Sequence, residues 1–463
     1  MRHRAAPHPL ALAAAIALAV AQACGRDEAV GGQTPSSDAE SGGAAGAAEQ
    51  GDGGLAGAAA GTDAIGGAGP CESQTLPDDL AEPAHGLSLK QISVLQAVTV
   101  PIMEQMIAIE SRPAQLVSGR PGLVRVFVKP AAEWRARSIR ARLTLGYGDT
   151  VVSTTVYEQT LFVEQTSEES HPSSSFNFEV PAEAFEVSTH YSVELFETES
   201  CTSGQGDSAS ARFPAQGTAS LGVLPGQILR VRIVPVALHV GDEVFLPDFG
   251  SQQLELLRRE VVKLYPVRDV ELSLRDSVLS STASDMVGVL EDLAVLRDAE
   301  STDGGLSYYG MVQFGPDLAS YCSPSCVLGA STVGDVPGGG EAVGIGYTGS
   351  KAALTFAHEL GHVYGRPHSP CGVAGDPAFP YAGGGVGGWG YDIFEALLVE
   401  PTLRRDFMGY CSPTWVSDHT YEHLRQFIDR VAAAPLPALR TSGARSGLRR
   451  RSFASSVIRC GEP

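Results

Sequence analysis

Lys351-Ala-Ala-Leu-Thr-Phe-Ala-His358-Glu359-Leu-Gly-His362-Val-Tyr-Gly365-Arg-Pro-His368 is the most informative stretch of this 463-residue chain. Ala352, Ala353, Leu354, Phe356, Ala357 and Leu360 predict a largely buried helix. His358 and His362 stand four apart, so at 3.6 residues per turn both imidazoles project from one helix face. That spacing lets two neutral ring nitrogens reach one zinc ion at about 2.0–2.1 Å. Glu359, beside the first histidine, can lean toward water at the metal without being a ligand, and is the expected general base. Gly365 permits the left-handed conformation that ends a helix, and Pro367 prevents its continuation. The chain is therefore expected to turn and bring His368 back as third ligand. Three histidines with an open fourth position make a catalytic zinc site, whereas a structural site is closed by four protein ligands. In a chain with 11 histidines the HExxH pattern arises by chance about 0.02 times. The added glycine and histidine make ordinary core or cap histidines a poor alternative.

His358-Glu-Leu-Gly-His362-Val-Tyr-Gly365-Arg-Pro-His368 resembles the long zinc signature of the metzincin metalloproteases. That family carries a methionine turn beneath the metal some tens of residues later. Asp406-Phe-Met-Gly-Tyr-Cys411 is similar to it, with Met408 as the methionine. In astacin- and serralysin-type members a tyrosine two residues further reaches the metal or the developing oxyanion, and Tyr410 stands there. Ser369 after the third histidine is similar to the matrixins instead. The resemblance covers about residues 225–435. It implies a zinc-dependent endopeptidase acting on proteins or peptides, with Glu359 moving the water proton and Tyr410 helping to hold the oxyanion. Extended substrate is expected along the strand edge at residues 327–333. Cys371 and Cys411 lie three residues beyond His368 and Met408 and are expected to pair. Two alternatives remain: a cell-surface binding or adhesion lipoprotein with a non-catalytic zinc site, and a zinc amidase on a non-peptide substrate.

Upstream of the site, Ile228-Leu-Arg-Val-Arg-Ile-Val-Pro-Val-Ala-Leu238 reads as a buried strand. Residues 251–265 read as a helix with Leu254, Leu257, Val261 and Leu264 on one face, ended by Pro266. A strand at 270–274, a helix at 285–298 and strands at 308–314, 327–333 and 342–347 follow. This order predicts an α/β (α+β) catalytic domain at residues 222–435, closed by a helix at 417–431. His419 and His423 lie four apart on that last helix, but no glutamate follows His419, and they read as surface residues. Cys322-Ser-Pro-Ser-Cys326 is close enough for a local disulfide; no second cysteine pair with ligand spacing supports half a metal site.

Before it, Leu123-Val-Arg-Val-Phe-Val128, Ala141-Arg-Leu-Thr-Leu145, Phe176-Asn-Phe-Glu-Val180 and Tyr191-Ser-Val-Glu-Leu195 alternate with period two, as do residues 151–156. Turn residues such as Ser118-Gly-Arg-Pro-Gly122 separate them. The pattern predicts an all-β immunoglobulin-like sandwich at residues 85–215. It holds no cluster of ligand-type residues, and a spacer or binding module is the expected role.

Arg2 and Arg4 precede an apolar run from Leu10 to Val20 that ends at Ala21-Gln-Ala-Cys24. Residues 1–23 thus read as a signal peptide. Cys24 opens a Gly/Ala/Ser-rich tract, residues 24–84, that is expected to act as a disordered tether. A cysteine before such a tether resembles bacterial lipoproteins and implies lipidation of Cys24, membrane attachment and the cell envelope. Plain secretion is the alternative. Eight cysteines agree with export, and the partners of Cys71, Cys201 and Cys460 stay open. The net charge of −20 argues against a nucleic-acid partner. Residues 436–463 read as a loosely structured tail.

Overall fold

The computed structural model describes residues 82–147, 153–199, 207–248, 250–300, 304–335, 338–434 and 459–461. The segments read as signal peptide (residues 1–23) and tether (up to residue 81), with Cys24, Cys71 and Cys201, lie outside the described residues. The chain is mostly β-sheet with few helices. Among the described residues no helix is long and apolar enough to cross a membrane.

Its first part forms two antiparallel sheets. One places Ile107–Ala108, Thr99–Glu104, Leu87–Leu95, Gly122–Pro130 and Phe176–Val180 side by side. The other orders Arg212–Phe213, Thr189–Glu197, Arg137–Tyr147 and Ser153–Val163. Period two does the work in Arg137–Tyr147: Ile139, Ala141, Leu143 and Leu145 are buried, and the residues between them are not. Ile92, Val126 and Phe178 of one sheet share a buried cluster with Leu143 and Val193 of the other. Leu87–Leu95 and Thr99–Glu104 precede the first strand that alternation reveals. Leu87–Leu95 shifts register between Ile92 and Ser93 against Thr99–Glu104, and between Leu89 and Gln91 against Gly122–Pro130. Each bulge resets the in–out phase, so no clean period survives in the sequence.

The second part is built on Gln227–Val240. Val267–Leu274 and Leu306–Val312 pair with it in parallel, Glu341–Ile345 pairs in parallel with Leu306–Val312, and Gly329–Ser331 lies antiparallel at the edge. Parallel neighbours need crossovers, and the helices Ser251–Leu264 and Met286–Glu300 supply two of them. Ser251–Leu264 buries Leu257, Val261, Val262 and Leu264. Asp418–Ala433 starts where Ser417 caps it, accepting from the Thr420 N–H at 3.0 Å.

Two details depart from the sequence reading. Residues 327–333 are not one strand: Ser325–Val327 pairs with Arg459–Gly461, and Gly329–Ser331 pairs with Glu341–Ile345. A change of partner at Leu328 is a three-dimensional event that a short apolar run does not record. The same pairing makes residues 459–461 of the tail a strand rather than a loose end.

The pattern changes near residue 215, but packing does not stop there. The buried cluster that fills the two antiparallel sheets continues through Leu257, Tyr265, Phe356 and Met408. The turn Ser118–Gly122 sits against the second part. Arg120, with no exposed surface, donates to the carbonyls of Gln96 (2.7 Å), Val262, Lys263 (3.0 Å) and Val267 (3.3 Å). Ala97, held at φ 114°, accepts from Trp415 Nε1 at 2.8 Å and from the Tyr391 N–H at 3.1 Å.

Candidate metal centre

The helix Ser350–Val363 follows Glu341–Ile345 and buries Ala353, Phe356, Ala357 and Leu360. Tyr265, just past the helix Ser251–Leu264, donates its hydroxyl to the Ala357 carbonyl at 2.5 Å and so fixes the helix one residue before His358. The C-terminus closes as a Schellman motif: the Gly365 N–H bonds to the His362 carbonyl at 2.8 Å, and the Arg366 N–H to Gly361 at 2.9 Å. Gly365 has φ +80°, and a Cβ there would fall 2.7 Å from the Phe427 ring. The glycine is thus required twice, by conformation and by space.

This turn returns His368 to the helix face. The candidate ligand atoms of His358, His362 and His368 all lie within 4.8 Å of one another. Ring centroids are 4.8 Å apart for His358 and His362, 5.3 Å for His358 and His368, and 4.6 Å for His362 and His368. His358 Nδ1 faces the Phe407 carbonyl at 2.8 Å and His362 Nδ1 the Arg366 carbonyl at 2.5 Å. In a neutral ring each Nδ1 is then the donor, and each Nε2 carries a lone pair. Those two Nε2 atoms are 3.1 Å apart. His368 Nε2 is buried without a hydrogen-bond partner.

Electrostatics keep the rings neutral. Burial, and then the neighbouring His368, push the His358 pKa down to about 3. Burial, with His358 and His368 beside it, holds His362 well below the ordinary imidazole range. Burial alone takes His368 to about 4. Converging lone pairs with no proton to share are an unfavourable arrangement that a cation relieves, and an all-imidazole donor set suits a borderline metal such as zinc. The residues fit a metal ion.

Glu359 is fully buried, and Ser331 Oγ donates to its Oε2 at 2.6 Å. Its carboxylate occupies room left by a missing side chain on the edge strand: a Cβ at Gly329 would fall 2.6 Å from Glu359 Cγ and Oε1. Met408 is buried under the helix, where a Cβ at Gly361 would lie 2.3 Å from its Sδ. Tyr410 is half-buried, its ring centroid 4.9 Å from His368 and 6.0 Å from His358.

A model of the Peptidase M66 family matches residues 318–412. The match spans the edge strand, the histidine helix, the third histidine and Met408, and it supports a metallopeptidase acting on proteins or peptides. None of the curated proteins matches the chain. Among solved structures, a Paenibacillus sp. cycloisomaltooligosaccharide glucanotransferase complexed with cycloisomaltoheptaose aligns at 12% identity and a TM-score of 0.17, covering 48% of this chain and 28% of that one. A calcium-binding mutant of Bacteroides uniformis beta-glucuronidase 2 aligns at 12% identity and a TM-score of 0.13, covering 51% and 25%. The chain thus spans under a third of either, and such scores carry no argument about fold or chemistry.

The structure gathers His358, Glu359, His362, Gly365, His368, Met408 and Tyr410 in one place. It joins Cys371 to Cys411 (S–S 2.00 Å) and Cys322 to Cys326 (2.01 Å). The first bridge ties the segment after His368 to the turn that holds Met408. His419 and His423 stay apart from the triad; His419 Nε2 lies 3.4 Å from Asp376 Oδ2. Sequence reasoning missed Tyr265, Gly329, Ser331 and the work of Asp406. Asp406 is buried and accepts from the Met408 N–H (2.9 Å), the Ser417 N–H (2.9 Å) and Ser417 Oγ (2.6 Å), which shapes the turn. Burial raises its pKa, and the Ser417 and Met408 bonds oppose that. Only Asp406 carried a signal, as an acidic residue two before the methionine.

Proposed function

We propose that the chain is a zinc-dependent endopeptidase of metzincin type. The observation that carries this reading is the convergence of three neutral imidazoles, two of them buried with their tautomers set by backbone carbonyls and the third half-buried, next to a buried glutamate. The mostly parallel sheet, with Gly329–Ser331 antiparallel at one edge, supports the metzincin assignment, and the paired antiparallel sheets support an immunoglobulin-like sandwich before it. The N-terminal sequence supports export and lipid anchoring through Cys24 at a bacterial cell envelope.

His358, His362 and His368 would hold the zinc, which supplies Lewis acidity toward a carbonyl and lowers the pKa of water toward about 7. The protein does the rest. Glu359, oriented by Ser331, takes the proton from the attacking water and delivers it to the leaving amine. Tyr410 donates its hydroxyl to the oxyanion that develops on the scissile carbonyl.

The direct test is digestion of a proteome-derived peptide library by the mature chain, read by mass spectrometry, with zinc content measured on the same sample. Internal peptide-bond cleavage that stops with a chelator is the expected result. One zinc per chain without cleavage of any amide favours the binding lipoprotein, and release from non-peptide amides alone favours the amidase. Tyr410→Phe is expected to lower kcat about 10- to 1000-fold with KM nearly unchanged, as for loss of one oxyanion donor. An unaltered kcat removes Tyr410 from the reaction.

A further inference from the structure

The segment after the third histidine is folded back on itself by a contact that no catalytic role explains. Asp376 donates its N–H to the His368 carbonyl at 2.7 Å. A Cβ at Gly375 would stand 2.6 Å from that same carbonyl oxygen, so the reversal needs the glycine before Asp376. The Asp376 carboxylate then reaches Arg366, two residues before His368. Its Oδ2 lies 3.2 Å from an Nη of Arg366, whose side chain is only 5% exposed. Arg366 is the residue whose carbonyl faces His362 Nδ1. The other oxygen of the carboxylate accepts the Ala378 N–H at 2.9 Å. On its outer side Asp376 meets His419, whose ring packs against Phe379 with centroids 5.2 Å apart.

One aspartate therefore touches the backbone of His368 and the side chain of the residue that orients His362. We propose that Asp376 is a positioning residue, a latch that holds the second and third histidines at a common distance and slows escape of the metal. The inference rests on the zinc reading of the triad. A buried guanidinium beside a carboxylate is a strong tie because loss of either partner leaves a charge with poor solvation. Supports of this kind behind a histidine ligand commonly change metal affinity by about 10–100-fold. His419 and Phe379 shield the pair, which gives the last helix a part in the site without making it a ligand.

The test uses the full mature chain, loaded with zinc, and measures zinc release to an excess of a chromogenic chelator. Asp376→Asn removes the charge and is expected to speed release about 10- to 100-fold. Asp376→Glu keeps the charge on a longer arm and is expected to release at an intermediate rate; it also serves if the Asn variant fails to fold. Glu197→Gln breaks the Arg137–Glu197 pair (2.8 Å) in the antiparallel-sheet part and is the control for a purely structural effect. It should lower the thermal midpoint without changing zinc release. Release at the wild-type rate from both Asp376 variants overturns the latch, as does equal acceleration by Glu197→Gln. A wild-type chain that retains no zinc sinks the metal reading instead, so the two failures are distinguishable.

Discussion

Glu359→Gln leaves a folded, zinc-retaining protein whose kcat is lower by at least about 10²–10⁴-fold, the usual worth of a positioned proton acceptor. The carboxylate lies fully buried in the niche that Gly329 leaves open, with Ser331 Oγ 2.6 Å from its Oε2. Glutamine has the same shape, so the niche stays filled, and the Ser331 hydroxyl can donate to the amide oxygen. What it lacks is a basic lone pair: an amide does not take a proton from water near neutral pH. The loss should fall on kcat, with KM and the zinc-to-protein ratio nearly constant, because Glu359 is not among the three converging imidazoles. Glu359→Ala is a poorer test, since it empties a buried niche and mixes a packing loss with the chemical one. Steady-state kinetics with metal analysis on one preparation decides the matter. Undiminished proteolysis by Glu359→Gln removes this residue from the reaction.

What the sequence made legible was local. His358, Glu359 and His362 share one helix, so a single period places them, and Gly365 with Pro367 announces the turn that returns His368. Strand Phe176–Val180 has the predicted ends because its alternation runs unbroken between turn residues. What stayed hidden is made by segments distant in the chain. Gly329 reads as an ordinary strand glycine until Glu359 is found where its side chain would be. Asp376 lies in a Gly-rich loop with no period, and its ties to the His368 carbonyl and the Arg366 side chain follow no regular spacing. Leu87–Leu95 escaped because its bulges break the alternation that marks a strand.

Arg120→Ala illustrates the same limit, and it should destabilise the protein by about 3–5 kcal/mol, a large part of the usual 5–15 kcal/mol. In the sequence Ser118-Gly-Arg-Pro-Gly122 is a turn between strands, where arginines are ordinarily solvated. In the structure Arg120 has no exposed surface and points at the last carbonyls of the helix Ser251–Leu264. Those carbonyls have no partner within the helix, and the helix dipole places partial negative charge on them. Burial lowers the pKa of the guanidinium, yet an arginine stays charged. The donors are matched entirely by carbonyls, those of Gln96, Val262, Lys263 and Val267. Alanine leaves all four facing a cavity. The consequence reaches the site, because Tyr265 follows that helix end directly and its hydroxyl holds Ala357. Urea unfolding followed by tryptophan fluorescence should show a lower midpoint for Arg120→Ala, with partial recovery in Arg120→Lys, which keeps the charge but loses the forked reach. A midpoint unchanged by Arg120→Ala would mean that the two parts of the chain are merely adjacent. A lowered one makes the antiparallel-sheet part a structural half of the unit that carries the histidines, which a detachable binding module is not.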